Sequence, residues 1–124
     1  MMTEELIVAI IIQKDLGMSC GKIGVQCAHG ISNILMRKEG QCKDIQKHVN
    51  WWFYNNDQKK IVLKVQDKTQ LHAIKSELQY NEMVYEEIYD IGLTQLDGET
   101  LTGICTYPVN KTILEPFIKG LKLL

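Results

Sequence analysis

The sequence predicts an α/β protein: a single domain over residues 1–124, with a four-stranded mixed sheet covered by helices on both faces. Three observations predict it. Ile7-Val8-Ala9-Ile10-Ile11-Ile12 is an unbroken, mostly β-branched run of strand length, the pattern of a central strand buried on both sides. Downstream, strand-like runs alternate with segments of helical periodicity, except that the last two strands follow one another. A length of 124 residues, with 45% hydrophobic and 23% charged residues, matches one ordinary globular domain.

After the first strand, Asp15 to Gly21 carries loop chemistry. From Lys22 to about Arg37, Ile23, Ala28, Ile31, Ile34 and Leu35 recur at helical spacing; Arg37-Lys38 suits the negative end of the helix dipole, and Gly40 stops the helix. A second helix over about 43–54 ends in Trp51-Trp52-Phe53-Tyr54, a block suited to packing on the sheet. Lys60 to Val65 is the second strand. Asp67 and Gln70 have the spacing of a capping box, opening a helix through about Gln79. Met83 to Tyr89 reads as the third strand. A loop with Asp97-Gly98 leads to the fourth, Leu101 to Tyr107, and Asn110 can cap a last helix.

Composition removes several classes of function. The longest apolar run, seven residues from Leu6 to Ile12, falls far short of the roughly 20 that a membrane-spanning helix needs. It follows Glu4 and Glu5 rather than a basic segment, so no secretory signal is expected. Cys20, Cys27, Cys42 and Cys105 form no CxxC pair and no common zinc spacing, so reduced thiols and a cytoplasmic protein are expected. The net charge of −1 is unevenly spread. Residues 1–75 hold 11 Lys/Arg against 7 Asp/Glu, and residues 76–124 hold 3 against 8. Positive potential can therefore gather on one face and meet a phosphate chain there.

The first strand–loop–helix junction carries the most suggestive chemistry. Gly17-Met18-Ser19-Cys20-Gly21-Lys22 has three residues between its glycines, and Ile23 follows the lysine; a nucleotide-binding P-loop needs four, then Ser or Thr. What remains is a helix N-terminus at a strand end, where unpaired N–H groups favour an anion or a developing oxyanion. A lysine at that position opposes the helix dipole, so Lys22 is expected to serve something other than the helix. Gln26 and His29 lie four and seven residues on, along the same face. The second constellation is Asp90-Ile91-Gly92-Leu93-Thr94-Gln95 at the end of the third strand, followed by Thr100 and Thr102, two apart on the fourth. An aspartate there can orient or deprotonate a water, and strand ends on one edge of the sheet are where α/β ligand sites form.

These blocks carry a resemblance. Asp15-Leu16-x-Met18-x-x-Gly21-Lys22-Ile23-x-x-Gln26-Cys27-Ala28-His29, Gln58 to Val65, Asp90-x-Gly92-x-Thr94-Gln95, Thr100-x-Thr102 and Gly120-Leu121-Lys122-Leu123-Leu124 are similar, in order and interval, to the type 2 peptidyl-tRNA hydrolases of archaea and eukaryotes. The similarity runs from about residue 6 to the end of the chain. It implies a four-stranded mixed sheet between helices, a homodimer, and hydrolysis of the ester between a peptide and the terminal ribose of tRNA, with no metal or organic cofactor. It implies catalytic roles for Lys22, Asp90, Thr94 and Thr102, with Gln26, Gln95 and Thr100 nearby; these three, His29 on the Lys22 face of the helix and Lys14 on the positive first half are the expected substrate contacts. Lys38 and Lys64 are further candidates for phosphate contacts. The chain departs from the family pattern at Cys20, where a lysine is usual, and at Asp97-Gly98-Glu99, where the turn usually reads acid-Pro-Gly. Two alternatives stay open: an adaptor that binds RNA or protein through the same fold, and an esterase for small acyl esters that needs no tRNA.

Overall fold

The computed structural model describes residues 4–92 and 98–124. In chain order the elements are β1 (Leu6–Gln13), α1 (Cys20–Arg37), α2 (Lys43–Asn55), β2 (Lys60–Val65), α3 (Lys68–Tyr80), β3 (Tyr85–Asp90), β4 (Thr100–Thr106), β5 (Val109–Asn110), α4 (Lys111–Ile118) and β6 (Lys122–Leu123). The sheet order is β3-β4-β1-β2-β6, with β5 also pairing β1. β1 runs parallel to β2 and antiparallel to β4, and β3 is antiparallel to β4. The mixed sheet therefore has six strands rather than the four expected. The four long strands are those read from the sequence; β5 and β6 have two residues each, too few to show any alternation.

All eight residues of β1 are buried, which is why its apolar run is continuous. Leu6, Val8, Ile10 and Ile12 pack with Ile34, Val49 and Trp52 of α1 and α2. Ile7, Ala9 and Ile11 pack on the opposite side with Leu71, Leu78 and Leu114 of α3 and α4. Each fully buried side chain of this size stabilises the fold by about 1.5–3 kcal/mol. α1 lies close on the sheet because Gly30 has no side chain: a Cβ there would stand 2.8 Å from Cys105 Cβ and 3.0 Å from Ile88 Cδ1. Of the aromatic block, Trp52 is buried with its Nε1 donating to the Lys59 carbonyl at 2.7 Å, Trp51 and Phe53 pack partly against the same core, and Tyr54 is exposed.

Helix ends follow side-chain caps. α1 begins at Cys20, two residues earlier than its periodicity suggests, because Ser19 Oγ accepts the Lys22 N–H at 3.2 Å. Asp67 accepts the Gln70 N–H at 2.9 Å, but the Gln70 side chain takes the N–H of Gln66 instead of completing the box at Asp67. Asn110 accepts from Thr112 and Ile113 at 2.9 and 3.3 Å. Strands β1, β2 and β3 share one direction, so their C-terminal ends, the start of β4 and the N-terminus of α1 meet at one end of the sheet.

Candidate active site

Lys22 lies in the first turn of α1, where a cation costs roughly 0.3–1 kcal/mol against the helix dipole. An anion offsets that cost. Lys22 Nζ forms an ion pair with Oδ1 of Asp90, the last residue of β3, and the two side chains are only 11% and 5% exposed. Asp90 Oδ2 accepts the N–H of Gly92 at 2.9 Å. That turn requires glycine: Gly92 has φ +82°, and a Cβ there would fall on the backbone of Gly98.

Gln26 follows Lys22 by one helical turn and is wholly buried. Its Nε2 donates to Asp90 Oδ1 at 3.4 Å, and its Oε1 accepts from the Thr102 hydroxyl at 2.8 Å. Thr102 Oγ1 also stands 3.1 Å from the Ile88 carbonyl oxygen. Among the described residues, Lys22, Gln26 and Gly92 thus occupy three of the roughly four acceptor positions of the Asp90 carboxylate. The hydrogen bond from Lys22, foremost, holds the Asp90 carboxyl below the usual carboxylate range. The Gly92 N–H and the charges of Lys22 and His29 act the same way, and burial opposes them.

Thr102 reaches this network through a β-bulge. Ile88 pairs with Gly103 and Tyr89 with Leu101, which leaves Thr102 as the extra residue of β4. Leu101 and Ile104 pack toward α3 and α4, and Cys105 toward α1 and α2. Strict alternation would turn Thr102 toward α3; the bulge turns it to Gln26 on α1. Gly103 permits the irregularity, since a Cβ there would collide with the Ile11 carbonyl oxygen of β1.

The structure therefore brings together Lys22, Gln26, Asp90 and Thr102. Of the other sequence candidates that the structure describes, His29, Thr100, Lys14, Lys38 and Lys64 stand apart from that network. His29 is exposed at the mouth of a cleft shared with Tyr89. Thr100 donates to the Gly98 carbonyl at 3.2 Å, as a turn threonine does. Lys14 lines a groove of about 320 Å³ with Lys64, Gln66, Gln70 and Lys122. Lys38 is bonded to Asn50 at 3.0 Å; it lies about 24 Å along the helix axis from Lys22. Thr94 and Gln95 lie outside the described residues, as does Asp97. Cys20 is exposed in the first turn of α1.

Three features escaped the sequence reading. The Gly92 N–H as a ligand of Asp90 had a signal, a glycine two residues after an aspartate. The bulge had one in Gly103, a glycine within a strand. Lys122 had none, because it joins Lys64 only through the short β6 pairing.

Chemically, an ammonium held at a helix N-terminus can stabilise an oxyanion. An ionised carboxylate with an acceptor position to spare can orient a water beside it. A model of the PTH2 family, peptidyl-tRNA hydrolase, matches residues 6–124 of the chain. The peptidyl-tRNA hydrolase of Thermoplasma acidophilum is 32% identical over 123 residues, covering 99% of this chain and 100% of the relative. That of Thermococcus onnurineus is 29% identical over 117 residues, covering 92% and 93%. That of Pyrobaculum aerophilum is 31% identical over 114 residues, covering 92% and 93%.

Proposed function

Since the chain belongs to the PTH2 family of peptidyl-tRNA hydrolases, we propose that residues 1–124 form one hydrolase domain working by direct attack of an oriented water. The bond cleaved is the ester joining a peptide, or an N-blocked amino acid, to the terminal ribose of tRNA. The observation that carries the mechanism is the nearly buried Lys22–Asp90 pair at the end of the sheet.

Asp90 orients the water through its open acceptor position. A carboxylate held below its usual range is a weak base, so it aligns the water and takes the proton only as the new C–O bond forms. Lys22 stabilises the tetrahedral oxyanion and the ribose alkoxide that leaves. Gln26 and Thr102 are wholly buried and bonded to one another, so they act as positioning residues, Thr102 through Gln26, that fix Asp90. On the strength of the family motif, Thr94 joins Lys22 and Asp90 in catalysis, and Gln95, Thr100 and His29 complete the substrate side of the site. Lys14, Lys64 and Lys122 contact phosphates of the tRNA. The chain acts as a homodimer in the cytoplasm. Support for the dimer is the family resemblance together with Val25 and Met36, left 49% and 80% exposed on one face of α1.

The test is release of N-blocked aminoacyl groups from tRNA by purified wild type and Lys22→Ala, side by side in metal-free buffer. Lys22→Ala lowers kcat by about 10²–10³, the usual loss when one preorganised oxyanion donor is removed. A change below about threefold removes the role given to Lys22. Binding of tRNA without turnover hands the protein to the adaptor reading, and turnover of a free aminoacyl ester at the same rate hands it to the esterase reading.

A further inference from the structure

A cleft of about 940 Å³ runs beside the catalytic pair, between the outer side of α1 and the free edge of β3. It begins at His29 and Tyr89, next to Asp90, and continues past Asn33 and Glu87 to Arg37 and Tyr85. Resting on the hydrolase reading above, we infer that this cleft holds the peptide arm of the substrate as an extended chain laid along the edge of β3.

The backbone supports it. The Tyr107 N–H donates to the Val84 carbonyl at 3.1 Å, so residues of that parity bond to β4. Tyr85 and Glu87 then turn their N–H and C=O groups outward, as the long 3.5 Å contact from Asn33 Nδ2 to the Glu87 carbonyl bears out. An extended peptide can replace that weak contact with strand-like pairing, in the manner of other edge-strand recognition. A β3 of six residues offers about 20 Å, room for a peptide of similar length.

Charge decides which arm belongs there. The cleft is lined by Glu82, Glu86 and Glu87 against Arg37; Arg37 is already paired to Glu86 at 2.9 Å and Lys75 to Glu87 at 2.7 Å, so the cations are engaged and the acidic excess remains. A phosphate chain would meet unfavourable carboxylates; an uncharged peptide backbone would not. The Lys14–Lys64–Lys122 groove lies on the other side, among β1, β2 and β6. β2 is three strand spacings from β3, about 14 Å. The ester at Lys22–Asp90 would thus sit between a groove suited to phosphate and a cleft suited to peptide.

The test compares wild-type kcat/KM on N-acetylaminoacyl-tRNA and on an N-acetylhexapeptidyl-tRNA with the same terminal residue. The hexapeptide substrate is expected to be favoured about tenfold, the worth of two net backbone hydrogen bonds. N-methylation of alternate peptide amides should abolish the advantage in one register and spare it in the other, with no need for a protein variant. Ser32→Trp, placed on the exposed α1 wall of the cleft, should bring the ratio close to one. A wild-type ratio near one, or an advantage that survives methylation in both registers, overturns the inference. Ser32→Trp lowering both substrates equally, or altering only the oligomeric state, also overturns it, giving the cleft to tRNA or to a second copy of the chain. Loss of both activities in the wild type overturns the hydrolase reading itself, and is thereby told apart from failure of the cleft.

Discussion

Lys22 and the trio Lys14, Lys64 and Lys122 stand at the same end of the sheet, but their surroundings differ. Lys22 is nearly buried, set against a helix dipole and paired with a carboxylate that two other groups, Gln26 and the Gly92 N–H, also constrain. The trio borders a groove and, among the described residues, none of the three forms an ion pair. A buried, paired charge acts on geometry and on the transition state, whereas exposed charges act on encounter and hold through counterion release. The first region should therefore control kcat and the second KM.

The largest expected effect lies in the buried region and concerns pH as well as rate. Lys22→Met removes the foremost cause of the lowered Asp90 pKa and leaves the burial that raises it. The acid limb of the kcat profile should move to higher pH, and a limb that stays in place would separate Lys22 from Asp90. Stability should follow with the same sign. A carboxyl depressed in the folded state stabilises the fold above its unfolded value of about 3.9, and that stability is lost as pH falls through the folded value. Lys22→Met should therefore unfold at a higher pH during acid titration followed by circular dichroism.

Gln26→Leu should lower kcat by about tenfold with KM within about twofold, since it loosens Asp90 without touching substrate. It should also cost about 1–3 kcal/mol in denaturant melts by leaving buried polar groups unpaired. A rise in KM alone would return Gln26 to the substrate side. In the groove, Lys14→Ala, Lys64→Ala and Lys122→Ala should each raise KM several-fold and leave kcat unchanged. Each should also flatten the salt dependence of log KM by about 0.7–0.9 for every phosphate no longer neutralised. The smallest effect should come from Cys20→Lys, which adds one cation at the α1 N-terminus: KM falls about two- to threefold, at a stability cost of roughly 0.3–1 kcal/mol. An unchanged KM would mean that no phosphate passes that turn.

Much of this frame was legible in the sequence because it rests on periodicity. The long strands and all four helices announce themselves through apolar spacing and caps, down to Asp67 and Asn110. β5 and β6 do not, since two-residue strands are made by their partners rather than by their own pattern. In the site, the shared face of Lys22 and Gln26 follows from helical geometry alone. Their convergence on Asp90 needs the sheet order that sets β3 beside β4, and the aim of Thr102 needs a bulge that shifts the register by one residue. Thr102, part of the motif that carried the resemblance, is itself wholly buried.

The ionised Asp90 has one more consequence, for the end of the catalytic cycle. Where Asp90 orients the attacking water, as proposed, hydrolysis of the ester leaves the new peptide carboxylate beside a second carboxylate that is fixed in place and stays charged at neutral pH. Lys22 is shared between the two carboxylates, so its hold on the product is weakened by Asp90, and the product meets like charge where the neutral ester met none. On the proposed mechanism the site favours release of what it has made, and accumulating free peptides or N-acyl amino acids should be poor inhibitors of continued turnover.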